Sequence, residues 1–148
     1  MDTLILHSFK KTLVRRMIIG LNHIGIAVSN LNEALGIYEG ILGLKLVKIR
    51  VVEEQGVKVA LLLAGEIKIE LLEPTNEESP VAKFIVKKGE GIHHIALTVS
   101  NIKNSLEEIK RKGITLIDEK PRIGIEGHKI AFLHPKNTKN VLIELCEK

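Results

Sequence analysis

The chain has 148 residues, 45% of them apolar but only 3% aromatic, so it can bury one aliphatic core built from Ile, Leu and Val. The formal net charge of +4 is spread over lysines interspersed with glutamates, and few aromatics are available to stack on bases. This argues against nucleic-acid binding and leaves a small polyanionic ligand as the better fit. A lone cysteine, Cys146, excludes an intrachain disulfide and suits a reducing, cytoplasmic setting, and no apolar run approaches the roughly 20 residues that span a bilayer, so no membrane association is expected.

Residues 1–17 open with a basic stretch, MDTLILHSFKKTLVRR, that is nearly free of acid. It reads as a flexible extension ahead of a single domain over 18–148. Residues 21–28 alternate and are rich in β-branched side chains, which predicts a strand. Asn30, with Glu33 three residues on, predicts a capped helix carrying Leu31, Leu35 and Tyr38 and ending at Gly40 and Gly43. Strands over 44–52, 57–64 and 66–73 follow. Within the linker, 75–90, Ser79 followed by Pro80 marks the start of a short helix. A strand over 93–99, a helix over 102–112 stopped by Gly113, and strands near 114–118, 128–133 and 140–146 complete the chain.

The second set of elements repeats the first. Residues 22–35, NHIGIAVSNLNEAL, align with 93–106, HHIALTVSNIKNSL, at a shift of 71. Residues 67–73, IKIELLE, align with 141–147, VLIELCE, at a shift of 74, so the second half holds about three extra residues between its two matches. The fold expected is α+β: two βαβββ modules, 18–74 and 91–148, whose sheets join into a curved, barrel-like cleft that could bind a metal.

Side chains alternate along a strand. His23, Gly25 and Ala27 share one face of the first strand, opposite Ile24, Ile26 and Val28; His94, Ala96 and Thr98 share the matching face of its repeat. Glu70 lies opposite Ile69 and Leu71, and Glu144 opposite Ile143 and Leu145. A carboxylate within an apolar strand is expensive to bury unpaired. Finding one at the same place in both halves, together with a histidine beside small residues, points to a shared cation held by His23, Glu70, His94 and Glu144. Two imidazoles and two carboxylates suit Co²⁺, Mn²⁺, Fe²⁺, Ni²⁺ or Zn²⁺. An octahedral ion with four protein ligands keeps two positions for a chelating substrate.

These residues resemble the vicinal oxygen chelate superfamily and, within it, the methylmalonyl-CoA epimerase family. The similar stretches are LNHIGIAVSNLNEAL, YEGILGL, EEQGV (53–57), IELLEP (69–74), SPVAKFI (79–85), GIHHIALTV (91–99) and FLHPKNTKNVLIEL (132–145). The resemblance implies metal ligation at His23, Glu70, His94 and Glu144, cobalt as the first choice of ion, a CoA-thioester substrate and a homodimer. It also implies epimerisation at C2 of methylmalonyl-CoA through a metal-stabilised enolate, with two groups alternating as base and acid. Many bacterial members carry a glutamate base where this chain has Val59; Glu144 and Glu70 are the expected proton carriers here, with Glu53, Glu54 or a water as the alternatives for one of them. His128, Lys129, His134 and Lys136 read first as solvated loop residues, with the cleft mouth or the CoA phosphates as the alternative, and His93 is expected to face away in a structural role. The competing expectations are a glyoxalase I-type isomerase using the same site, and a non-catalytic binding module, against which the retention of all four ligands argues.

Overall fold

The strand and helix periods are realised as two matching modules. The structure is a computed structural model that describes residues 16–148, so the expected extension over 1–17 lies almost wholly outside the described residues. Module one runs β1 (Ile18–Ala27), α1 (Leu31–Leu35) continuing as a π-helical turn over Gly36–Ile41, β2 (Lys45–Val52), β3 (Val57–Ala64) and β4 (Ile67–Pro74). A linking helix, α2 (Pro80–Lys88), leads to β5 (Gly91–Val99), α3 (Ile102–Arg111), β6 (Arg122–Ile123), β7 (Lys129–Leu133) and β8 (Ile143–Glu147). All eight strands form one curled sheet in the order β2-β3-β4-β1-β5-β8-β7-β6. Each half of that order mirrors the other about the antiparallel β1–β5 seam, and β1–β4 and β5–β8 are the two parallel pairs.

The helices start where small polar residues satisfy free amides. Asn30 accepts from the Glu33 amide at 3.0 Å, and Asn101 from the Asn104 amide at 3.0 Å. The last strand of each module adds a second acceptor: Glu73 takes the Leu31 amide, and Glu147 takes the Ile102 amide. Ser79 caps α2 by accepting from the Val81 amide. Gly56, at φ +61° after the short helical turn Glu53–Gln55, lies so close to Ser79 that an added Cβ would stand 3.2 Å from its Cβ. The EEQGV and SPVAKF segments therefore pack directly on each other.

Each helix buries an aliphatic stripe against one face of its half-sheet. Leu31 and Ala34 pack with Val28, Ala60, Leu62 and Leu71; Ile102, Leu106 and Ile109 pack with Val99, Ala131, Leu133 and Leu145. The opposite face is concave and carries His23, Glu70, His94 and Glu144. One element differs from expectation. Residues 114–118 do not form an edge strand: Leu116 makes a single bridge to Leu133, and the edge is the two-residue β6. The Asp118 carboxylate accepts from the Phe132 amide at 2.8 Å, and Pro121, which has no N–H to donate, follows. A side chain thus takes the place of a ladder bond there. No helix among the described residues is long and apolar enough to cross a membrane.

Candidate metal centre

The register of the central strands explains why four distant residues converge. Across the β1–β5 seam His23 faces Ala96, and Gly25 faces His94. In the parallel pairs Gly25 faces Glu70, and Ala96 faces Glu144. Each small residue therefore lies between the histidine of the other module and the glutamate of its own. The space is needed: a Cβ on Gly25 would stand 2.2 Å from Cε1 of His94.

All four expected ligands meet on the concave face and are buried, with 4–5% exposure. His23 Nε2 lies 3.0 Å from His94 Nε2, 2.9 Å from Glu144 Oε2 and 3.2 Å from Glu70 Oε2. His94 Nε2 lies 3.8 Å from Glu144 Oε2 and 4.0 Å from Glu70 Oε2. His23, His94 and Glu144 form the tight group, with one ligand atom from each within 4.8 Å of the others. Glu70 approaches from the His23 side, and its Oε1 is buried with no hydrogen-bond partner among the described residues.

The donor set fits a divalent cation. Two ligands each about 2.1 Å from one ion and at right angles stand about 3.0 Å apart, which is the spacing of the two Nε2 atoms. Two imidazole lone pairs aimed at each other repel unless a proton or cation lies between them. The unpartnered Oε1 of Glu70 is a further buried acceptor that a cation would satisfy.

Neighbouring groups orient the rings. The Nδ1–H of His23 donates to Asn22 Oδ1 at 2.7 Å, which leaves Nε2 as the ligating nitrogen. His94 Nδ1 meets His93 Nδ1 at 3.0 Å, and Phe132 packs edge-on against the His94 ring. His93 was expected to face away; its ring instead reaches the cavity and braces His94. Strand parity gives the direction of a Cβ and not the reach of a ring, which is why the sequence reading missed it.

Burial and charge set the proton affinities. Burial pushes the Glu70 carboxyl up to about 7, with Glu144 and Glu126 adding to the rise against His23 and Lys68. Burial also raises Glu144, but the hydrogen bond from His23 and the nearby imidazoles outweigh it and leave the carboxyl below its ordinary value. Burial lowers His94 to about 3. His23 is lowered by burial but raised more by Glu144 and Glu70. The Cys146 thiol, pushed up by burial and by Glu144, donates to Glu144 Oε2 at 3.4 Å.

The cluster opens into a cavity of about 720 Å³ whose lining includes Arg122 and His128. Among the described residues Lys129, His134 and Lys136 do not line it. His134 instead caps the Pro135–Asn137 turn, accepting from the Lys136 amide.

Comparison with known proteins identifies the family and the fold. The Glyoxalase/Bleomycin resistance protein/Dioxygenase superfamily matches residues 22–132. The human mitochondrial methylmalonyl-CoA epimerase is 40% identical over 126 residues, covering 84% of this chain and 72% of that one. The methylmalonyl-CoA epimerase of Mycobacterium tuberculosis superposes with a TM-score of 0.85 at 37% identity, covering 90% of this chain and 91% of that one. A variant of the Streptomyces coelicolor methylmalonyl-CoA epimerase, solved in complex with 2-nitronate-propionyl-CoA, gives a TM-score of 0.83 at 37% identity over 88% of this chain and 98% of that one. The chain belongs to the methylmalonyl-CoA epimerase family of the glyoxalase/bleomycin resistance protein/dioxygenase superfamily.

Proposed function

We propose that this chain inverts C2 of methylmalonyl-CoA, taking its proton on one face and returning a proton on the other. The observation that carries this reading is the buried meeting of two histidines and two glutamates, one pair from each module, beside a cavity of about 720 Å³. A divalent ion, for which cobalt is the expected identity, supplies Lewis-acid stabilisation of the charge that develops on the thioester oxygen.

The chain's own residues do the rest. His23, Glu70, His94 and Glu144 would hold the ion, and the bonds from His23 to Asn22 and from His94 to His93 fix the rings. Glu70 and Glu144 come from β4 and β8, the strands on either side of the β1–β5 seam. That placement supports reading them as the two proton carriers. One carboxylate accepts the C2 proton, leaving an enolate, and the other carboxyl returns a proton to the opposite face. Val59, on β3, is buried and cannot exchange a proton. The assembly expected is a homodimer. Val47, Ile49 and Val51 on the edge strand β2 are each about half exposed, at 48%, 45% and 49%, and give it an apolar surface to cover. The setting expected is the cytoplasm.

Deuterium incorporation at C2 tests the assignment. Glu70→Gln and Glu144→Gln should each bring epimerisation down at least a hundredfold. Wild-type exchange in either variant, with the ion still bound, would remove that residue from the role.

A further inference from the structure

The concave side of β3 and β4 changes character within one strand repeat of Glu70. Leu72 is two residues further along the same face, about 7 Å away. Val59 is its partner across the β3–β4 ladder, and both are buried. A residue of the other module closes this apolar wall. Ile125 sits in the turn Gly124–Gly127 between β6 and β7, packs onto the cluster containing Val59 and Leu72, and lines the same cavity as His23 and Glu70.

Two ties hold the turn there. Arg50 on β2 donates Nη1 to the Ile125 carbonyl at 2.8 Å. Lys68 Nζ on β4 pairs with Glu126 Oε2 at 2.8 Å, and both side chains are largely buried, with 24% and 21% exposure. Glycine is required at both ends: Gly127 has φ +83°, and a Cβ on Gly124 would stand 2.9 Å from Cγ2 of Ile130. The matching turn of module one, ending at Gly56, packs against Asn76 and Ser79 of the linker instead. The cavity is therefore asymmetric in the turn that closes it: Ile125 covers the Val59–Leu72 pair, whereas the equivalent Ile130–Cys146 pair of module two, also apolar, packs with Phe132.

We infer that Ile125 determines substrate specificity: with Val59 and Leu72 it forms the pocket for the alkyl group on C2 of the acyl-CoA, and Lys68, Glu126 and Arg50 are positioning residues that hold it in place. The inference rests on the epimerase reading. When both carbonyl oxygens of the substrate face the histidines and glutamates, the alkyl carbon on C2 points away from them. The Val59–Leu72–Ile125 wall is the apolar surface next to Glu70 along β4. A methyl group fits such a wall, and a longer alkyl chain meets the Ile125 side chain.

The test is kcat/KM for methylmalonyl-CoA and for ethylmalonyl-CoA, one methylene longer, in the metal-loaded enzyme. Ile125→Ala should raise the ethyl-to-methyl ratio about tenfold or more, because a methylene in an apolar pocket is worth roughly 10–200-fold. Ile125→Val, a milder change, should raise it about threefold. Glu126→Gln should raise it in the same direction and speed amide hydrogen exchange over 123–128. Proportional losses on both substrates, or a ratio within twofold of wild type in both Ile125 variants, overturn the inference and leave the epimerase reading standing. A wild-type enzyme that turns over neither substrate overturns both.

Discussion

Glu70 and Glu144 are 4% and 5% exposed in strands that otherwise bury aliphatic side chains. A carboxylate in such a place needs a partner of opposite charge. Their repetition, with His23 and His94, made it legible from sequence that the four share one face of the sheet. His93 was not legible, because its role depends on the reach of a ring across the strand. The burial of Glu70 has a consequence for pH. Its carboxyl, raised to about 7, holds a proton below that pH which a cation must displace, whereas His94, lowered to about 3, stays neutral. Metal affinity should therefore be high above about pH 7 and fall as pH drops through it, with more protons released on binding at pH 6 than at pH 8. Calorimetric titration in buffers of different ionisation enthalpy checks this; equal affinity and equal proton release at the two pH values would contradict it. In the metal-free protein the sign for stability is the reverse. The raised Glu70 carboxyl stabilises the fold fully below its ordinary value of 4.5, and this contribution is lost as pH rises through about 7. Gly25 makes a second prediction at this scale. Gly25→Ala should displace the His94 ring and lower metal affinity at least tenfold, measured by competition with a chelator.

The elements follow from local chemistry wherever side chains cap or alternate. Asn30 and Ser79 start their helices as their sequence positions suggest, and Asn101 caps α3 in the same way. The repeated IELLE and IELCE segments carry a feature that the sequence reading passed over. Their first glutamate enters the site, and their second, three residues on and on the opposite face, caps the helix of its own module. Parity applied to Glu73 and Glu147 would have found it. Glu147→Ala should lower stability by about 1 kcal/mol in denaturant titration without changing metal uptake. Leu106→Ala, at a site 2% exposed beneath α3, should cost about 2–5 kcal/mol. Residues 115–118 keep backbone bonds to Phe132 and His134, but the Asp118 carboxylate takes the Phe132 amide and the pairing stops at the single Leu116–Leu133 bridge, a tertiary contact that local patterning does not encode.

At the scale of the whole molecule, duplication accounts for both the sheet and the site. The strand order reads the same outward from the β1–β5 seam, and each module supplies one histidine and one glutamate. The three extra residues of module two lie between Leu133 and Ile143, in the loop that replaces the tight Gly65–Glu66 turn of module one. The asymmetry of the cavity arises from contacts between the modules, such as Lys68 with Glu126 and Arg50 with Ile125. A repeat comparison cannot see these, because the second module has Leu142 where the first has Lys68. The most direct test of the central claim is the rate of methylmalonyl-CoA epimerisation after the metal is stripped by a chelator and Co²⁺ is returned in steps. Activity should be lost on stripping and be restored in proportion to the ion added, saturating at one ion per chain. Full activity in the stripped protein, or no activity at one bound ion per chain, would contradict it.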